Sequence, residues 1–335
     1  MTPFFLLATI QRNSTISFPF LGGLRLNPPA YFTVFGRNIY LYGVVIALGF
    51  ILAILYCSKR APEFGLKADD FYDFMIWLIP CSILGARLYY VLFQGEYYFS
   101  HPKEILAIWQ GGLAIYGGII AGILTCWAVC RKKKISVLAM LDLCCFGLLI
   151  GQALGRWGNF FNREAFGAET DIFCRMGLTA PDGTTVYVHP TFLYESLWNL
   201  TGLAFLVWFS KHGKRRFNGQ CILIYFLWYG LGRAWIEGLR TDSLYIGSSG
   251  IRVSQLLSIV LILISGTILF LNRSNTSLLS GAETDPKPPA EPEASPDTGA
   301  EAAPEDSSAH IPPSEPEQAS GTAEREAEES HNSED

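Results

Sequence analysis

The stretch Gly155-Arg156-Trp157-Gly158-Asn159-Phe160-Phe161-Asn162-Arg163-Glu164-Ala165-Phe166-Gly167 concentrates polar chemistry at the end of an apolar run. If that run continues as a helix, Arg156, Asn159 and Arg163 share a face at i, i+3 and i+7. A planar, permanently charged guanidinium beside two neutral amides suits a phosphodiester. The competing reading is an arginine reaching the membrane surface and an asparagine capping the helix. The density of this run favours function.

Three further clusters carry candidate chemistry. Tyr229, Arg233, Glu237 and Arg240 fall close to one stripe, with Glu237 within reach of both arginines. They form either an anion site with one excess positive charge or a self-satisfied Arg–Glu–Arg network that holds helices together. His189-Pro190-Thr191-Phe192-Leu193-Tyr194-Glu195 opens another apolar run. Pro190 fits a first helical turn, and Glu195 lies about a turn and a half inward. A histidine there titrates near neutrality, although helix-start histidines are more often structural. Gly111-Gly112-Leu113-Ala114-Ile115-Tyr116-Gly117-Gly118 sets a tyrosine between glycine pairs, which serve either close helix packing or a ligand. Arg87 and Asp142 are additional charges in apolar runs, with Asp142 expected to be structural. Tyr42 and Asn38 begin the first long run.

The elements that position these groups are membrane-length. Seven segments approach the roughly 20 apolar residues needed to cross a bilayer as a helix: 39–58, 71–93, 113–130, 137–155, 191–210, 221–236 and 253–271. Basic residues collect after the odd-numbered spans: Lys59, Arg60 and Lys67; Arg131 to Lys134; Lys211 and Lys214 to Arg216; then Arg273. The excess of Lys and Arg in cytoplasmic loops therefore predicts an outside N-terminus. All four clusters then reach the outer half of the membrane. The expected fold is an all-α integral membrane protein with seven transmembrane helices. Residues 1–38 form an N-terminal interfacial arm that includes Phe18, Phe20, Tyr31, Phe32 and Phe35. Residues 39–272 form the membrane domain, with a small outer cap at 159–189 between spans four and five. Within that cap, Asp182-Gly183 followed by 184–188 reads as a turn into a short strand. The apolar run 4–10 is too short to span and lacks the basic start of a signal peptide.

Composition agrees. Half of the 335 residues are hydrophobic and 16% are charged, against about 25% in a soluble domain. Segment 276–335 carries 16 Asp and Glu against two Lys and Arg, and nine of the 18 prolines. With a net charge of −5 overall, the remainder is basic at +9. The tail is expected to be disordered and cytoplasmic. Nucleic acid is a poor fit, because the basic residues are scattered between apolar runs. The eight cysteines show no zinc-ligand spacing and read as small packing residues.

These motifs resemble the prolipoprotein diacylglyceryl transferases, over most of 35–272. The carriers are Gly111 to Gly118, Gly155 to Gly167, His189 to Glu195 and Tyr229 to Arg240. The resemblance implies transfer of sn-1,2-diacylglyceryl from phosphatidylglycerol to the lipobox cysteine of a preprolipoprotein at the bacterial inner membrane. Glycerol 1-phosphate is released, and neither metal nor cofactor takes part. It also implies that Arg156 and Arg233 are essential. Asn159, Glu164, Tyr42, Tyr229, Glu237, Gly117 and Glu195 match other functional positions, and Arg240 joins the substrate-binding set. Tyr116 stands where some members carry a histidine proposed as the base. A tyrosine with a pKa of about 10 is a poor base at neutral pH. Thiol deprotonation then falls to His189, Glu164 or Glu237, or to the arginine field alone. Two rival classes are a transporter or flippase that binds an anion unchanged, and a membrane scaffold whose tail recruits partners. The lack of internal repeats argues against the first.

Overall fold

In the computed structural model, which describes residues 14–213, 215–241, 245 and 252–274, the apolar runs become seven long helices. They are α1 (Leu41–Arg60), α2 (Ala68–Phe93), α3 (Ile115–Lys133), α4 (Val137–Asn162), α5 (Thr191–Lys211), α6 (Gln220–Leu239) and α7 (Val253–Leu271). Hydrocarbon offers the backbone no hydrogen-bond partner, so a spanning chain must satisfy its own amides, as a helix does. Five of them, α1 to α4 and α7, are long and apolar enough to cross a membrane. Helices α5 and α6 have the length but are diluted by Glu195 and Asn199, and by Arg233 and Glu237. The described residues belong to one compact unit within Met1–Asp285. Segments 1–13 and 276–335, including the predicted tail, lie outside them.

Helix α4 is the interior helix: 44% of its apolar stretch is buried, against 11–22% in the other four. Met140, Leu143, Phe146 and Leu149 are fully buried in a core shared with Cys57, Phe64, Phe71, Cys126, Leu206 and Tyr225. Arg60 lies 4.4 Å over the Phe146 ring and pairs with Glu63 at 2.5 Å. Asp142 is fully buried and structural, as expected. Its carboxylate accepts from the backbone N–H groups of Gly219 and Ile222 at 2.8 and 2.9 Å. It thereby supplies the anion that the start of α6 favours.

Close approach of backbones fixes two helix pairs. At the α2–α3 crossing, a Cβ on Gly117 would fall 2.3 Å from the Gly85 carbonyl oxygen. Between α5 and α6 the indoles of Trp198 and Trp228 stack at 4.6 Å. Each donates to the other's backbone carbonyl at 3.0 Å. Gly202 lies under Trp228 and Gly232 under Trp198, where a Cβ would come within 2.4 and 2.2 Å of the indole nitrogen. The two tryptophans therefore lock the register of α5 against α6.

The described residues also contain six short strands. β1 (Thr15–Phe18), β2 (Leu24–Leu26), β5 (Met176–Thr179) and β6 (Thr185–Val188) form an antiparallel sheet in the order β2-β1-β5-β6. β3 (Tyr31–Val34) and β4 (Arg37–Tyr40) form a hairpin whose last residue immediately precedes α1. The strand expected after Asp182-Gly183 is β6. Its sheet is completed by the N-terminal segment, with Ile16 opposite Leu178. Phe18, read from sequence as facing the membrane interface, is instead buried beside Phe160, Phe166 and Phe192. Tyr31, Phe32 and Phe35 remain exposed.

Candidate active site

Glu195 is the centre. It lies on the second turn of α5, 8% exposed at its side chain. Three arginines from two other segments converge on its two oxygens. Arg156 of α4 approaches Oε2 at 2.6 Å, Arg233 of α6 approaches Oε2 at 3.4 Å, and Arg240 approaches Oε1 at 3.0 Å. Arg233 also pairs with Glu237 at 2.8 Å. Three guanidiniums therefore share two carboxylates, leaving one positive charge in excess. Burial of such a cluster is stabilised only by near-complete pairing, so the excess charge favours an anionic ligand.

Of the two arginines within sequence reach of Glu237, Arg233 pairs with it and Arg240 turns to Glu195 instead. Arg240 caps α6 with extended backbone, φ −81° and ψ 148°, so its side chain leaves the helical stripe. Its backbone bridges to Gly167, and its guanidinium reaches Glu195. Glu237 is served from the other side by Arg252, which donates to its backbone carbonyl.

Helix α4 does continue through the motif, to Asn162. Arg156 donates to Asn159 at 3.4 Å; the Asn159 and Asn162 amides donate to Glu164 Oε1 at 3.1 and 3.2 Å. Arg163 leaves this face, which corrects the shared-face expectation. It caps α4 at φ +54° and turns into the N-terminal segment. There it donates to the carbonyls of Ser14, Phe161 and Pro28 and to Asn27 Oδ1. Tyr42, at the start of α1, packs its ring so tightly on Gly158 that a Cβ there would come within 2.7 Å. Tyr229 stands within electrostatic range of Arg156 and stacks on Tyr225.

Three expected site residues lie outside the arginine–glutamate cluster. Gly117 is consumed by the α2–α3 crossing. Tyr116, on the first turn of α3, is 40% exposed, and among the described residues no bond joins it to the arginines. Its glycine-rich approach is held by Arg87, which donates to the carbonyls of Glu104, Ile105, Gly111 and Gly112. His189 packs on Gly167, where an added Cβ would lie 2.6 Å from the His189 Cβ, and its Nδ1 is 3.4 Å from the Tyr194 hydroxyl. Burial lowers its pKa below the usual 6.5.

Sequence reasoning missed the tryptophan lock, which places Glu195 opposite Arg233. A signal was present: Trp198/Gly202 and Trp228/Gly232 repeat the same i, i+4 spacing. It also missed Ser196, which accepts from Trp157 Nε1 at 3.2 Å and donates to Ala153 O at 2.9 Å, tying α5 to α4.

Comparison with known proteins places the chain in a family. The family model described as prolipoprotein diacylglyceryl transferase matches residues 29–271. A protein of Finegoldia magna named phosphatidylglycerol–prolipoprotein diacylglyceryl transferase is 46% identical over 238 residues, 71% of this chain and 92% of the relative. Proteins of the same name from Limosilactobacillus reuteri and Enterococcus faecalis are 45% and 44% identical. They cover 70% and 74% of this chain, and 88% and 91% of their own lengths. With a family match spanning most of its length and relatives this similar, the chain belongs to the prolipoprotein diacylglyceryl transferase family.

Proposed function

We propose that this chain transfers the diacylglyceryl group of phosphatidylglycerol to the lipobox cysteine of prolipoproteins, the first step of lipoprotein maturation. The observation that carries the chemistry is the positive excess around Glu195. In the reaction the thiolate sulfur bonds to the C3 carbon of the diacylglyceryl group as a thioether, while the bond from that carbon to the phosphate oxygen breaks and its electron pair leaves on that oxygen, as glycerol 1-phosphate. Arg156 and Arg233 face the phosphate and stabilise the charge that develops on its departing oxygen. Arg240 and Glu195 orient the two arginines. Asn159, Tyr42 and Tyr229 line the headgroup side.

The thiol proton goes to Glu164 in this reading. Glu164 is exposed and linked through Asn159 to Arg156. Glu237 is buried and already paired with Arg233.

The seven long helices span the inner membrane, N-terminus outside, with the sheet as an outer cap and segment 276–335 in the cytoplasm. Basic residues in the last turns of α1, α3 and α5, and Arg273 just beyond α7, support that orientation. Phosphatidylglycerol and the signal-peptide helix reach the site sideways from the bilayer. The test mixes purified protein, phosphatidylglycerol and a single-cysteine lipobox peptide, read by mass spectrometry. A diacylglyceryl adduct with released glycerol phosphate is expected. Folded protein that forms no adduct, beside an active transferase, overturns the reading.

A further inference from the structure

At the opposite end of α5 and α6 from Glu195, a cavity of about 600 Å³ opens between the end of α5, the start of α6 and the end of α7. Phe209 of α5 lies 14 residues after Glu195, about 21 Å along the helix. This is therefore not the Glu195 site. Phe209, Ile224 and Leu269 form its apolar walls, and Arg216 and Arg273 stand at its polar side with Gln220. Arg216 is held in place: its backbone N–H donates to Gln220 Oε1 at 2.7 Å, and its Nη1 donates to the Arg273 carbonyl at 2.9 Å. The Arg273 guanidinium lies 4.3 Å over the Phe270 ring. Among the described residues, neither guanidinium has a carboxylate partner. The neighbouring Arg215 differs: it packs on Phe64 and lies 3.9 Å from the Asp142 carboxylate.

Two exposed arginines at the edge of an apolar cleft between helices complement an amphiphile with an anionic head. We propose that this cleft binds an anionic phospholipid of the leaflet opposite the Glu195 cluster. Arg216 and Arg273 hold the phosphodiester, and an acyl chain lies along Phe209, Ile224 and Leu269. The inference rests on the spanning reading of α5 to α7 but not on the transferase chemistry.

The test is native mass spectrometry of delipidated full-length protein titrated with phosphatidylglycerol or phosphatidylcholine. Wild type should retain phosphatidylglycerol at this cleft in addition to the Glu195 site, and Arg156→Ala should keep this cleft's share. Arg216→Gln/Arg273→Gln should weaken that share about tenfold or more, since each basic residue contributes several-fold to anionic lipid attraction. Its transferase turnover should be unchanged, which separates failure here from failure of the function above. Leu269→Trp should cost the same binding by filling the cleft while leaving both charges, and it decides the matter if the double variant fails to fold. Equal retention by wild type and a folded variant overturns the proposal, as when the acidic segment 276–335 occupies the arginines instead. Equal retention of phosphatidylcholine, or displacement of the lipid by inorganic phosphate, also overturns it.

Discussion

Arg156 and Arg163 stand seven residues apart in one motif, and they meet opposite environments. Arg163 donates to four neutral acceptors, three backbone carbonyls and one asparagine oxygen. Its guanidinium joins the end of α4 to the N-terminal segment. Arg156 meets Glu195 and shares that carboxylate with two more arginines. Carbonyl partners satisfy a guanidinium's donors and leave it structural. Carboxylates outnumbered by arginines leave a charge imbalance that a ligand can complete. A buried arginine in a membrane protein is thus classified by what its donors meet, not by its depth.

The comparison can be broken by exchanging the outcomes. Arg156→Ala should lower transfer to the lipobox peptide by about 10³-fold, the scale of losing a donor at a developing oxyanion, with the melting temperature little changed. Equal activity would remove the site. Glu195→Gln should act on both properties, because three arginines lose their shared anion. Activity should fall about 10²-fold, and stability by about 3–5 kcal/mol, the usual cost of breaking a buried ion pair from one side. A Glu195→Gln protein as active and as stable as wild type would show that the cluster does not depend on its centre. Arg163→Ala should cost about 2–4 kcal/mol, as buried carbonyls lose their donor, while kcat in the surviving folded fraction stays near wild type. A selective kcat loss would move Arg163 into the site.

Smaller effects sharpen the contrast. Gly232→Ala drives a Cβ against Trp198 and should cost about 1–3 kcal/mol by overpacking. By shifting α6 it should also reduce kcat more than it raises KM; an unchanged kcat would free the tryptophan lock from any positioning role. His189 gives the smallest effect. Its pKa is lowered by burial, so the folded state prefers the neutral ring and its contribution is present above the unfolded value of 6.5. Stability should therefore decline as pH falls below that value and on through the lower folded-state pKa, and His189→Gln should remove this acid-side slope. A melting temperature that falls equally in both proteins would assign the slope to other groups.

Most members of the candidate cluster were legible in the sequence. Arg156, Asn159, Glu164, Arg233 and Glu237 stand out because charged and amide side chains are costly in apolar helices and are therefore sparse. Gly117 and Tyr116 were ambiguous, because a glycine pair has the same appearance whether it admits a ligand or another helix. Here the partner is Gly85, 32 residues earlier. The N-terminal arm misled in the same way: aromatic residues at 18 and 20 suit a membrane surface, but strand pairing with 176–179 turns Phe18 into a small core.

The amino-acid sequence alone determined the helix-length apolar runs, the basic residues at their alternate ends and the acidic composition of 276–335, because periodicity, hydropathy and charge are local properties of the chain. The tertiary structure decided which carboxylate gathers the arginines, which arginine is merely capped, and that the N-terminal segment completes the sheet with 176–188. Those depend on contacts between residues up to about 160 positions apart, which helix register, cap geometry and close glycine packing select and which sequence spacing does not encode.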